Sequence, residues 1–181
     1  MDKQKCFQLL KRMYRILADK GVYINYMKNL NKVVMGLAAL VLLTGCSSQK
    51  KVSYEEFHKQ AVEAYAKVKD AGYTKVTVNG TVKVQGAEMK LDKVELTVKD
   101  GVITTVPTTT EQMMAASVFS MNAATIPEDK ETTYYVGGGF KVSTKTDEQT
   151  GEAKFDKYGL MTSYKVTYGE EKMDLTAKWS K

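Results

Sequence analysis

Arginine is almost missing from this chain: Arg12 and Arg15 are the only two, and none follows residue 15. The guanidinium fork that grips a phosphate or a guanine edge with two hydrogen bonds is therefore denied to everything downstream, which argues against nucleic acid as a partner. Cysteine is equally scarce. Cys6 and Cys46 are the pair, so residues 47–181 can hold no disulfide, no thiol nucleophile and no thiolate metal ligand. His58 is the one histidine. Without cysteine it offers no zinc or copper cluster, and a Ser-His-Asp arrangement would need carboxylates whose spacing here is unremarkable. Its place between Phe57 and Lys59 reads as a surface or boundary position on a helix, and we expect neither metal nor cofactor.

Charge of one sign is lacking as well, once the chain is divided. The formal net charge is +6, but the whole excess lies within the first 32 residues. Residues 46–181 contain 19 lysines and 19 acidic residues. Lysines alternate with acids along that stretch, a pattern that reads as an evenly solvated surface rather than a basic patch.

What is present begins with an address. Lys28 and Lys32 precede the uncharged run Val33–Leu42, which ends in Leu43-Thr44-Gly45-Cys46. The run has the length of a signal-peptide core and falls well short of the ~20 residues a membrane-spanning helix needs. The segment from Met27 to Cys46 resembles the signal peptide and lipobox of bacterial lipoproteins. That resemblance implies a diacylglycerol in thioether linkage to Cys46, cleavage between Gly45 and Cys46, and attachment to the membrane on its extracytoplasmic face. Residues 46–52 then form a polar tether and residues 53–181 the globular part. Residues 1–26 either precede the true start or make a basic extension, since Phe7, Leu10, Met13, Tyr14 and Leu17 lie at helical spacing among Lys11, Arg12 and Arg15.

The globular part opens with Ser53-Tyr54-Glu55-Glu56, the form of a capping box, and Tyr54, Phe57, Ala61, Ala64, Tyr65 and Val68 continue at helical spacing toward Gly72. This predicts a helix over 54–70. From Tyr73 the period becomes two. A three-residue loop at Val78-Asn79-Gly80 would pair Val76 with Val82, and a loop at Lys99-Asp100-Gly101 would pair Val98 with Val102, Leu96 with Thr104 and Val94 with Val106. Met89 and Leu91 are out of phase with Val94, Leu96 and Val98, so a bulge is expected near Asp92-Lys93. A second helix is predicted from Glu111 to Asn122, with Met114, Val118 and Met121 on its apolar side. Further strands follow: Tyr134 to Val142 kinked at Gly137-Gly138-Gly139, Ala153 and Phe155, then Leu160 to Tyr168. A loop over 169–172 would pair Tyr168 with Met173. The sum is an α+β fold, a single curved antiparallel sheet of about seven strands with two helices packed on one face.

No enzymatic signature emerges. Ser47-Ser48-Gln49-Lys50 matches Ser-x-x-Lys but lies in the tether, and no helix with a Lys/Ser pair follows the three glycines. Carboxylate pairs such as Glu55/Glu56 and Glu170/Glu171 sit in solvated positions. Two features invite a binding role. Met113, Met114 and Phe119 make the second helix soft and apolar, and aromatics including Tyr164 and Trp179 share a sheet face. These five residues are the expected lining of a cleft for a hydrophobic ligand between sheet and helices. The alternative is a non-enzymatic interaction or accessory subunit of an envelope complex or transporter.

Overall fold

The computed structural model describes residues 49–181, so the signal-peptide segment and Cys46 lie outside the described residues. Nine strands form one open antiparallel sheet: β1 (Lys50–Val52), β2 (Lys75–Val84), β3 (Ala87–Lys99), β4 (Val102–Ile103), β5 (Thr132–Val136), β6 (Phe140–Lys145), β7 (Gln149–Phe155), β8 (Met161–Tyr168) and β9 (Glu171–Ser180). Their order across the sheet is β1-β5-β6-β7-β8-β9-β2-β3-β4. Two α-helices interrupt the strands, α1 (Tyr54–Tyr65) and α2 (Thr110–Phe119), with short 3-10 turns at Val68–Ala71 and Ala123–Thr125. The α+β class and the antiparallel sheet are as expected, and two more strands are present than the sequence suggests. One of them, β1, falls in the expected tether and pairs with β5.

Ser53 caps α1, its hydroxyl accepting the Glu56 N–H at 3.2 Å. The Glu56 carboxylate accepts from Gln60 and sits 3.9 Å from Lys50, so one half of the predicted capping box is in place. The helix stops five residues earlier than expected. Gly72, left-handed at φ +63°, closes the 3-10 turn that follows. On α1 the buried face is Phe57 and Ala61. Phe57 is fully enclosed, its ring 5.2 Å from that of Tyr134 and edge-on to Phe140 at 5.7 Å. Thr109 caps α2 by accepting the Gln112 N–H. Val118 is buried and Met114 and Met121 pack half-buried against the core, as expected, while Ala115 and Phe119 extend the buried side beyond them.

The strand registers show where pairing departs from the expected hairpins. β2 runs straight through Asn79-Gly80 and turns at Gln85-Gly86, so Val76 faces Leu96 and Val82 faces Met89. Gln85 and Gly86 both take positive φ, the requirement of a two-residue turn of the primed type. Gly80 serves another purpose: at φ +145°, a Cβ there would stand 2.0 Å from the Asp174 carbonyl on β9. The Asp100-Gly101 turn likewise has two residues at positive φ, which pairs Val98 with Ile103 and leaves Val102 and Val106 exposed. Gly137-Gly138-Gly139 is the β5–β6 hairpin rather than a kink, closed by the Gly137 N–H on the Gly139 carbonyl. Tyr168 faces Glu171 across a two-residue turn, a shift of two from the expected register that keeps every side chain on its face.

The bulge at Asp92-Lys93 is where the phase break places it. Val78 pairs with Val94 and Gly80 with Leu91, leaving two residues of β3 opposite Asn79. The Asn79 Oδ1 accepts the Lys93 N–H at 2.9 Å, and Lys93 adopts φ +52°. With the phase restored, the buried side chains of β2, β3 and β5–β9 point to one face, where they join Phe57, Ala61, Val118 and Phe119 in a single core cluster.

Gly80→Ala is expected to lose on the order of 2–4 kcal/mol of stability, because the new methyl meets backbone that cannot yield. Gly169→Ala, at φ +55° but in open space, should lose only about 1 kcal/mol. Urea unfolding of both variants checks this; equal losses would show that the crowding at Gly80 does not matter.

Candidate functional site

Four of the five residues expected to line a hydrophobic cleft belong to the core or pack against it, and Met113 does neither. Phe119 is 1% exposed, Tyr164 7% and Trp179 9%, and all three belong to the core cluster. Met114 packs against that cluster half-buried, and Met113 is half-buried on the same helix. The Trp179 indole donates to the Met161 carbonyl at 2.8 Å, which binds β9 to β8 at its far end. Tyr164 stands between Ala153 and Leu175 in the pairing of β7, β8 and β9. Burial raises its phenol to a pKa of about 12, and Tyr134 is held near the same value by the same cause, which outweighs the lowering by the hydrogen bond from the Asp129 N–H.

Two open surface clefts lie elsewhere. One of about 380 Å³ runs between α1 and the β7–β8 turn, lined by Glu63, Lys67, Phe140, Lys157 and Tyr158 among others. A second of about 230 Å³ lies under the Asp100-Gly101 hairpin beside Val68 and Tyr73. Neither is lined by any of the five expected residues. Between these clefts, Asp156 accepts the N–H groups of Tyr158 and Leu160 at 2.9 Å and the Tyr73 hydroxyl at 3.4 Å. Burial outweighs these bonds and lifts its carboxyl above the ordinary range. The arrangement secures the β7–β8 turn. Among the described residues there is no group of three potential metal ligands, and His58 rests on the Tyr54 ring at 5.5 Å.

The feature that the sequence does not disclose is the other side of the sheet. Side chains alternate along a strand, so residues between the buried positions all face outward. Those outward positions hold Lys51 on β1, Lys141 and Lys145 on β6, Lys154 on β7 and Lys165 on β8. They continue with Lys172 and Lys178 on β9, Lys75 and Lys83 on β2, and Lys90 and Lys99 on β3. Threonine and serine fill much of the rest, including Thr77, Thr81, Ser143, Thr150, Thr167 and Thr176. Opposed to these eleven lysines are four carboxylates, Glu88, Glu95, Glu152 and Asp174, and the exposed bulge pair Asp92-Lys93 adds one charge of each sign, so the surplus is seven positive charges. Because residues 46–181 balance to zero, the helix side and the loops carry the compensating negative surplus. The evenly solvated surface expected from the sequence is thus corrected: strand alternation sorts what looks mixed along the chain.

Three of the four carboxylates are engaged. Lys75 meets Glu95 at 2.8 Å, Lys165 meets Asp174 at 3.0 Å, and Glu152 lies between Lys154 at 3.1 Å and Lys141 at 3.3 Å. Burial would raise the Glu152 carboxyl, but the hydrogen bond from Lys154 and the charge of Lys141 bring it below the ordinary value. Lys145, Lys172 and Lys178 have no carboxylate within 4 Å among the described residues. The large apolar side chains left exposed, Val62, Val102, Val106 and Tyr168, sit on α1, β4, the loop after it and β8. No protein-family model, curated protein or solved structure matches the chain.

The buried tyrosines give this packing a pH signature. A phenol that titrates near pH 10 in the unfolded chain and near 12 in the fold stabilises fully below pH 10, and that contribution is lost as pH rises toward 12. For Tyr164 the loss amounts to about 2–3 kcal/mol. Tyr164→Phe should therefore flatten the alkaline fall in stability while leaving stability at pH 8 within about 1 kcal/mol. Urea midpoints from pH 8 to 12 check this; an unchanged alkaline slope would show that the phenol is solvated.

Proposed function

We propose that the chain is a lipid-anchored extracytoplasmic protein that acts as a non-enzymatic interaction module, an accessory of the cell envelope. The anchor rests on the lipobox Leu43-Thr44-Gly45-Cys46, whose cysteine precedes the first strand residue, Lys50, by four positions. Two acyl chains hold a protein durably in a bilayer, whereas one holds it only marginally. No described helix is long and apolar enough to cross a membrane.

The observation that carries the interaction reading is a sheet with an apolar face packed against helices and a broad polar face left open. Phe119, Tyr164 and Trp179, expected to form a ligand cleft, are part of the core packing. A hydrophobic guest at that place would have to displace Phe119 or Tyr164, each closely packed. With the exposed large apolar side chains scattered, recognition falls to charge and hydrogen bonding.

Cys46→Ala should abolish palmitate incorporation and leave the protein unprocessed or released. Fractionation with radiolabelled palmitate checks this: a wild-type protein that takes up no label overturns the anchor. Native mass spectrometry of the purified protein is expected to show no apolar molecule bound without covalent linkage. A stoichiometric co-purifying lipid or similar mass would favour a carrier over an interaction module.

A further inference from the structure

We propose that the lysine face of the sheet lies against the anionic phospholipid headgroups of the membrane that holds the chain, so that the domain is anchored in one orientation with α1 and α2 turned away. The placement takes its geometry from the lipid-anchor reading. Only Ser47, Ser48 and Gln49 separate Cys46 from Lys50, and at most about 14 Å of chain can run between them. An anchor that short keeps the sheet edge at β1 within about a Debye length or two of the headgroups at physiological salt.

Charge then decides which side faces down. The domain as a whole is neutral, so no net attraction draws it to a negative surface. The open face, however, carries a surplus of seven lysines, and the matching acids are shared between the helix side and the turns and loops around the sheet. A molecule so divided is turned by the field of an anionic leaflet, which attracts lysines near it by roughly 1 kcal/mol each and repels the opposite side. Shape favours a membrane over a soluble polyanion. Nine strands at about 4.8 Å spacing make a face roughly 40 Å across, and lysines occur from β1 at one edge to β3 beside the other. A plane of headgroups can meet them together, whereas a single polymer strand would neutralise only one row. Ten of the eleven lysines are well exposed, and of the large apolar side chains only Val102, beside Lys99 at the β4 edge, stands exposed among them, so contact would be at headgroup depth.

The test uses the full chain reconstituted in vesicles, with a fluorescent amino acid in place of either Thr150, on the open face, or Ser117, on the exposed side of α2. A nitroxide on the lipid headgroup serves as quencher. With about 30% phosphatidylglycerol and low salt, the Thr150 probe should be quenched at least about twofold more than the Ser117 probe. The contrast should vanish in pure phosphatidylcholine or at about 0.5 M salt, where screening confines charge attraction to a few ångströms. Changing Lys145, Lys172 and Lys178 to Gln should abolish it, while the charge-matched change of Lys59, Lys67 and Lys157 to Gln should not. Equal quenching of the two probes, a contrast indifferent to salt and phosphatidylglycerol, or equal effects of the two triple variants would each overturn the proposal. So would a Thr150 probe that stays unquenched but is shielded on adding polyphosphate, which would assign the face to a soluble polyanion. The intact mass of the same protein reports acylation separately. Contrast without acylation sustains the orientation and removes the lipid anchor; acylation without contrast does the reverse.

Discussion

A sheet buried on one side tolerates no error of phase, and here the phase is held by one side chain. β3 is thirteen residues long, too long to keep its apolar residues on one face without correction. Met89 and Leu91 obey one alternation, and Val94, Leu96 and Val98 obey the other. The extra residue at Asp92-Lys93 reconciles them, and Asn79 on β2 fixes it by accepting the Lys93 N–H. Without that bulge, half of β3 would present leucine and methionine to water and lysine and glutamate to Phe119 and Val118. Gly80, the next residue of β2, lets β9 approach at the same point. The middle of the sheet is thereby aligned on both flanks of β2 at once.

The same alternation that builds the core divides the charge. Nothing in the composition requires lysine to collect on one side; a neutral domain can distribute its charges in many ways. Once every second residue is committed to the core, the intervening positions become a single surface, and whatever occupies them is displayed together. In this chain the strands hold lysine and threonine there, while the acids are concentrated in α1, the turns and the loop at Glu128–Glu131. The character of such a surface comes from the arrangement of many residues, not from any one of them.

Much of this fold was legible in the sequence, and what was not has identifiable causes. The α1 cap at Ser53 and the bulge at Asp92-Lys93 were readable because each depends on neighbours in sequence. The hairpins were read less well. Asn79-Gly80 is a strong turn signal, yet here glycine answers the close approach of β9, a demand made by a strand almost one hundred residues away. β1 was invisible because three residues, two of them lysine, have no period to detect. In α2 the spacing of Met114, Val118 and Met121 marks one part of the buried side, and Ala115 and Phe119, which are buried more deeply than the methionines, widen it. The expected cleft residues were recognised as apolar and adjacent, and the distinction between a packed core and a cavity is not one that adjacency can make. The lysine face required the registers of β2, β3, β6, β8 and β9 before its members could be seen to share a side.

The pairing of β2 with β9 has a consequence for how the molecule comes into being. β9, the final ten-residue strand, lies in the interior of the sheet, hydrogen-bonded to β8 on one side and β2 on the other. Until it arrives, the chain can form at best two separate pieces, a β2–β3–β4 hairpin group and a β5–β8 meander, each with a bare edge and an unfilled apolar side. Trp179 and Leu175 are missing from both. Folding is thus withheld until the last residues are delivered, and pairing across so much chain is intrinsically slow. A protein built this way becomes a single body only when β9 has paired on both of its sides.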